Sequence, residues 1–181
     1  VGKGAGSAND NNSYCTFLGY DADQSVSTNF TNSMALGNTS RITASNQVRI
    51  GNGSITSIGG YAGWSNISDG RVKKNIKENV PGLQFINQLK AITYNLQVAE
   101  IDHFKKKKKN VDKNSEASSL LQESVAAKEK IVYTGFIAQD VEAIAKKMNY
   151  DFSGVDKPQD ESGLYGLRYA EFVVPLVKAV Q

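Results

Sequence analysis

Ser68-Asp69-Gly70-Arg71-Val72-Lys73-Lys74-Asn75-Ile76 is the stretch on which the reading of this chain turns, because it puts a hydroxyl and an amine within one short segment. It also marks a change of composition. Upstream, Gly, Ser, Asn and Thr dominate and apolar residues come in short alternating pairs; downstream come charged segments with helical spacing and the run Lys105–Lys109. Two modules are expected: a β-rich, fibre-like segment over 1–63 and a small mixed α/β domain over 64–181, which makes the fold class α+β.

Working outward toward the N-terminus, Asn32-Ser33-Met34-Ala35-Leu36-Gly37-Asn38-Thr39-Ser40 is echoed by Asn46-Gln47-Val48-Arg49-Ile50-Gly51-Asn52-Gly53-Ser54, with a weaker copy at Thr16-Phe17-Leu18-Gly19. Each copy reads as a brief strand ended by a glycine at a turn that needs positive φ. Stacked copies bury their apolar faces only against neighbours, in the same chain or in others. The phase resembles the head repeats of trimeric adhesins and the shafts of phage fibres. A set of Gly-rich hairpins is the alternative.

Toward the C-terminus, Pro81 sits where a first helical turn accepts it, with Leu83, Ile86 and Leu89 at helical spacing and Ile92, Tyr94 and Leu96 alternating like a strand. Residues 101–130 read as a solvated insertion around the lysine run, with a helical stretch from Glu116 to Lys128. Ile131, Val132 and Tyr133 are expected as a strand. Ile137, Val141, Ile144, Ala145 and Met148 form one apolar helix face that should pack on the sheet. Asp151 to Ser162 reads as a polar loop and Leu164 to Tyr169 as a final strand. Val173, Leu176 and Val180 keep the three-then-four spacing of a helix that would start a trimeric coiled coil, with Pro175 tolerable only in its first turn.

A serine hydroxyl is a poor nucleophile until a base takes its proton, and a lysine serves as that base only once burial or like charge has made it less basic. Arg71 and Lys74 flank Lys73 and push in that direction; Asp69 pushes against it. Geometry adds a constraint. Residues five apart point to opposite faces of a strand and diverge on a helix. Ser68 and Lys73 of one chain therefore meet only through a bend, for which Gly70 is the obvious place, or else the lysine comes from a neighbouring chain. A polar turn capped by Ser68 and Asp69 is the bland reading of the same residues.

The run from Trp64 through Ser68, Asp69, Arg71, Lys73, Asn75 and Ile76 resembles the signature of the endosialidase-type intramolecular chaperone domain, a self-cleaving serine peptidase family at the C-termini of phage tail spikes, tail fibres and related surface fibres. Two later blocks agree with it: Gly135-Phe136-Ile137-Ala138-Gln139-Asp140-Val141-Glu142, and Tyr169 followed by Pro175-Leu176-Val177-Lys178-Ala179-Val180-Gln181. The resemblance implies a homotrimer that folds an upstream fibre of the same polypeptide and then cuts itself off at the Ile67–Ser68 bond. It implies Ser68 as nucleophile and Lys73 as base, with Asp69, Gly70, Arg71 and Asn75 in support, and a virion tail fibre or cell-surface location. The alternatives are a trimeric cap that never cleaves and an adhesin tip that binds a host or surface glycan.

Composition sets the remaining bounds. The chain has 181 residues and a net charge of +3, much of it owed to the lysine run. There is no long apolar run, so no membrane insertion is expected, and the start at Val1 without Met reads as a fragment of a longer protein. Cys15 is the single cysteine, which excludes an internal disulfide and a cysteine metal cluster. The single histidine, His103, lies beside the lysine run and reads as a surface residue, so neither a catalytic triad nor a metal site is expected. No cofactor is expected, and the lysine run has too few aromatic neighbours for a nucleic-acid partner.

Overall fold

The computed structural model describes residues 2–8, 12–25, 29–101, 119–159 and 163–181. Contacts divide the chain into two units. One comprises Val1–Thr56, Tyr94–Tyr133 and Pro158–Leu164; the other comprises Ser57–Thr93, Thr134–Lys157 and Tyr165–Gln181. The lysine run, His103 and most of the expected insertion lie outside the described residues.

In the first unit, β1 (Ser13–Leu18), β3 (Thr31–Leu36) and β5 (Val48–Ile50) form a three-stranded sheet in the order β1-β3-β5, and β2 (Asp23–Gln24) pairs with β4 (Arg41–Ile42). Every one of these pairings is parallel, with Ser13 opposite Thr31, Leu18 opposite Leu36, Met34 opposite Val48 and Asp23 opposite Arg41. Parallel neighbours need a crossover between them, so this is not a run of hairpins. Ala22, Phe30, Ala35 and Ile42 form the core, with Cys15 and Phe17 packed against it.

Two columns of residues run across these strands. Asn32 and Asn46 both take positive φ, and the Asn32 Nδ2 donates to Asn46 Oδ1 at 2.8 Å. Gly19 (φ 135°) and Gly37 (φ 112°) are the second column; a Cβ at Gly19 would lie 2.5 Å from the Gly37 carbonyl oxygen. Only glycine fits such an approach. The same unit contains α2 (Ser119–Glu129), where Glu129 Oε1 accepts from the Val98 N–H at 2.8 Å.

The second unit is built on aromatic rings. Phe85, Val141, Ala145, Phe152 and Phe172 are buried together, with Phe136, Tyr150, Val155 and Leu167 packed around them. Phe85 meets Phe152 edge-on with centroids 5.0 Å apart, and Phe152 meets Phe172 edge-on at 4.8 Å, the arrangement that ring quadrupoles favour. Phe85 comes from α1 (Leu83–Ile86), and Val141 and Ala145 from the inner face of α3 (Ala138–Lys147). That face packs on the aromatic cluster, beside the antiparallel pair β8 (Val155–Asp156) and β9 (Gly166–Leu167), rather than on a broad sheet. The chain then enters a 3-10 turn (Tyr169–Phe172) and α4 (Val173–Val180), with Pro175 buried in the first helical turn. A Cβ at Gly82, just ahead of α1, would lie 2.7 Å from the backbone of Lys178, so α1 and α4 meet almost backbone to backbone. A short pair, β6 (Ile92–Tyr94) with β7 (Tyr133–Gly135), completes the description.

Candidate active site

Residues 63–67 belong to no helix or strand, and Ser68 itself is exposed. Asp69 then caps a single 3-10 turn, Gly70–Val72, by accepting the Arg71 N–H at 2.9 Å on its carboxylate. The same carboxylate takes the Arg71 guanidinium through Nε at 3.0 Å and Nη2 at 2.5 Å. Two donors in a planar fork match a carboxylate, so the pair fixes the turn from both sides. The Arg71 guanidinium and backbone N–H together hold the Asp69 carboxyl below the usual carboxylate range, and Asp69 in return pushes the Arg71 guanidinium up.

The turn closes with the Lys73 N–H donating to the Gly70 carbonyl at 3.3 Å, and Lys73 returns to extended backbone. One compact turn between two extended residues shortens the path between them. The Lys73 Nζ donates to Ser68 Oγ at 2.8 Å within one chain. Both groups are exposed. The bend that this meeting requires is supplied by the cap on Asp69: Gly70 does not take a positive φ, and a Cβ there would meet nothing within 4 Å. Asn75 does take a positive φ, 56°, and turns the chain after Lys74; asparagine tolerates that conformation better than most residues.

The two later blocks quoted from the sequence touch each other. The Phe136 N–H donates to the Tyr169 hydroxyl at 3.1 Å and their rings stack at 6.3 Å. Residues 68–150 match the family model described as the chaperone of endosialidase.

These residues are an endosialidase chaperone domain.

The match begins at Ser68 and takes in Gly135–Glu142; Tyr169 and the terminal helix lie beyond it. The chain therefore carries an intramolecular chaperone domain of a self-cleaving peptidase family. No curated protein and no solved structure matches the chain. Among the described residues no group of His, Cys, Asp and Glu side chains is arranged to hold a metal ion, and no helix is long and apolar enough to cross a membrane. The Asp69–Arg71 fork was legible in outline as a brace, but sequence carries no signal for which atoms make it.

Proposed function

We propose that this chain trimerises, guides the folding of an upstream fibre on a phage tail or cell surface, and then releases its chaperone domain by one cut before Ser68. The 2.8 Å contact between Lys73 Nζ and Ser68 Oγ carries the proposal. In the reacting state the lysine is neutral and takes the hydroxyl proton. Ser68 Oγ then bonds to the Ile67 carbonyl carbon, the Ile67–Ser68 C–N bond breaks, and the freed Ser68 nitrogen takes up a proton. The Ile67 acyl group is left as an ester on Ser68 Oγ, which water opens to an Ile67 carboxylate and a free hydroxyl. The nucleophile is covalently tethered beside its target, and that high effective concentration suffices for a single turnover by a weakly activated serine. The N–H groups of Arg71, Val72 and Lys73 are already engaged within the turn, so an oxyanion on Ile67 must be met by other donors.

Trimerisation is supported by α4: Val173, Leu176 and Val180 are all exposed in the single chain, on the stripe that a three-stranded seam would cover. Losing the template after folding blocks the return path, so the fibre gains kinetic stability without new contacts. The exposure of Ser68 and Lys73 favours a second reading, a trimeric cap that stays whole. Intact mass of the purified protein decides between them. Self-cleavage gives fragments ending at Ile67 and beginning at Ser68, and both disappear in Ser68→Ala and in Lys73→Ala. An uncut trimer with the native serine supports the cap.

A further inference from the structure

In the sequence, Ile58, Tyr61, Trp64 and Ile67 recur every third residue, with Ile55 one triplet upstream in the same phase. Between Ile58 and Ile67 stand only Gly59, Gly60, Ala62, Gly63, Ser65 and Asn66, all small or short. A period of three fits neither a strand nor an α-helix. It is the period of the polyproline II helix, an extended form with three residues per turn, negative φ and no internal hydrogen bonds. In the single chain, residues 55–60 and 63–69 belong to no helix or strand and no residue between Gly51 and Asn75 takes a positive φ, while the backbone bends at Tyr61–Ala62, which a continuous helix of this kind would have to straighten.

The stripe is bare in the single chain. Trp64 and Ile67 are each 90% exposed, and Ile58 and Tyr61 are exposed as well. The glycines beside it have no use within the chain. A Cβ at Gly59 or Gly63 would meet nothing within 4 Å, and one at Gly60 would approach only the Ala62 oxygen, at 3.9 Å. The small residues thus leave the stripe uncovered along its length. From Ile50 to Ser68 there is not one charged residue, so identical copies of this segment can approach without repulsion. Burying Tyr61 and Trp64 would remove about 400 Å² per copy, or about 1,200 Å² over three copies. Spread over the three pairwise contacts of a trimer that is about 400 Å² each, below the roughly 1,000 Å² of a free-standing interface, so the segment adds to the trimer proposed above rather than creating it.

We infer that residues 58–67 wind together with the same segment of two further copies, with Ile58, Tyr61, Trp64 and Ile67 turned to the common axis and the small residues facing outward. This rests on the trimer proposed above and assigns a function that outlasts the cut. The stripe ends at the residue before Ser68, so it stays with the upstream product, where it clasps the three fibre chains at their new ends after the chaperone domain has left.

Single cysteines test the phase in the full chain carrying Ser68→Ala, which keeps it whole, and Cys15→Ser, which removes the native thiol. Tyr61→Cys and Trp64→Cys lie on the stripe; Ala62→Cys and Ser65→Cys lie off it. Under mild oxidation of assembled protein, the on-stripe pair should give about tenfold more disulfide-linked dimer than the off-stripe pair, since the bond forms only where Cα atoms of two copies come within about 7 Å. Equal cross-linking in a chain that light scattering finds trimeric overturns the clasp and leaves the trimer standing; a monomer overturns both. Should a cysteine variant fail to assemble, Trp64 decides in the uncut chain without a cysteine substitution on the stripe, because it is the single tryptophan. Emission shifted to shorter wavelength and shielded from acrylamide supports the clasp. Emission fully quenchable in the trimer overturns it.

Discussion

Residues 13–50 and the unit around Phe85 reach a packed state by different routes. The strands of the first bury alanines, one phenylalanine and one isoleucine, and alongside them the polar side chains of Asp23, Gln24, Ser33 and Ser40. Their order comes from parallel pairing and from columns such as Asn32 over Asn46. The second gathers Phe85, Phe136, Phe152, Phe172 and Tyr150 into one cluster on which its helices and β8–β9 close. A region held by serial pairings should fail locally, whereas a region held by one centre should fail as a whole. Parallel pairing must close a crossover before any contact rewards it, which makes such strands slow to nucleate.

Phe85→Ala puts the largest strain on this comparison. Emptying a fully buried ring should cost about 3–5 kcal/mol. Chemical denaturation should then show the whole second unit lost in one step, with the strands of the first unit still protected in hydrogen exchange. Partial loss confined to α1 would break the single-centre description. Gly19→Ala comes next. The added carbon lies 2.5 Å from the Gly37 oxygen at a φ of 135°, and relief should cost about 1–3 kcal/mol. Exchange should rise at the ends of β1 and β3 and stay unchanged at Met34 and Val48; a rise across all three strands would show that the first unit also fails as one body.

The smallest effect concerns the edge of the second unit. Lys146 at 2.7 Å, with help from the Tyr165 hydroxyl and Lys157, holds the Glu142 carboxyl down from 4.5 to about 2. A depressed carboxylate contributes stability that is complete above 4.5 and lost as the pH falls toward 2. Glu142→Gln should therefore lower the melting temperature slightly at neutral pH, with the gap to wild type closing through that window. A gap that is constant with pH would mean that the side chain acts by packing alone.

Much of the second unit was legible because its signals are long or chemically sharp. The amphipathic spacing of Val141, Ile144, Ala145 and Met148 marks α3 to within a residue or two, and Pro175 falls in the first turn of its helix as its missing N–H demands. The β8–β9 pair was not legible. Two residues per strand carry no alternation, and Asp151 to Ser162 reads as a polar loop although Phe152 within it is part of the core. The expected strand from Leu164 to Tyr169 shrinks to Gly166–Leu167 because Tyr169 already begins a 3-10 turn. At the candidate site, the residue types and the need for a bend could be read from Ser68 and Lys73. What makes the bend could not, since capping by Asp69 depends on side-chain rotamers that spacing does not encode.

The contact between Gly82 and Lys178 has a consequence for how the protein is made. The two strands of polypeptide that touch there leave the ribosome almost a hundred residues apart. A chain that stops before Lys178 lacks this close approach and leaves α1 held by Phe85 in the aromatic cluster alone. The joint between α1 and α4 therefore closes only after residue 178 has been made, which puts this packing step of the second unit late in synthesis.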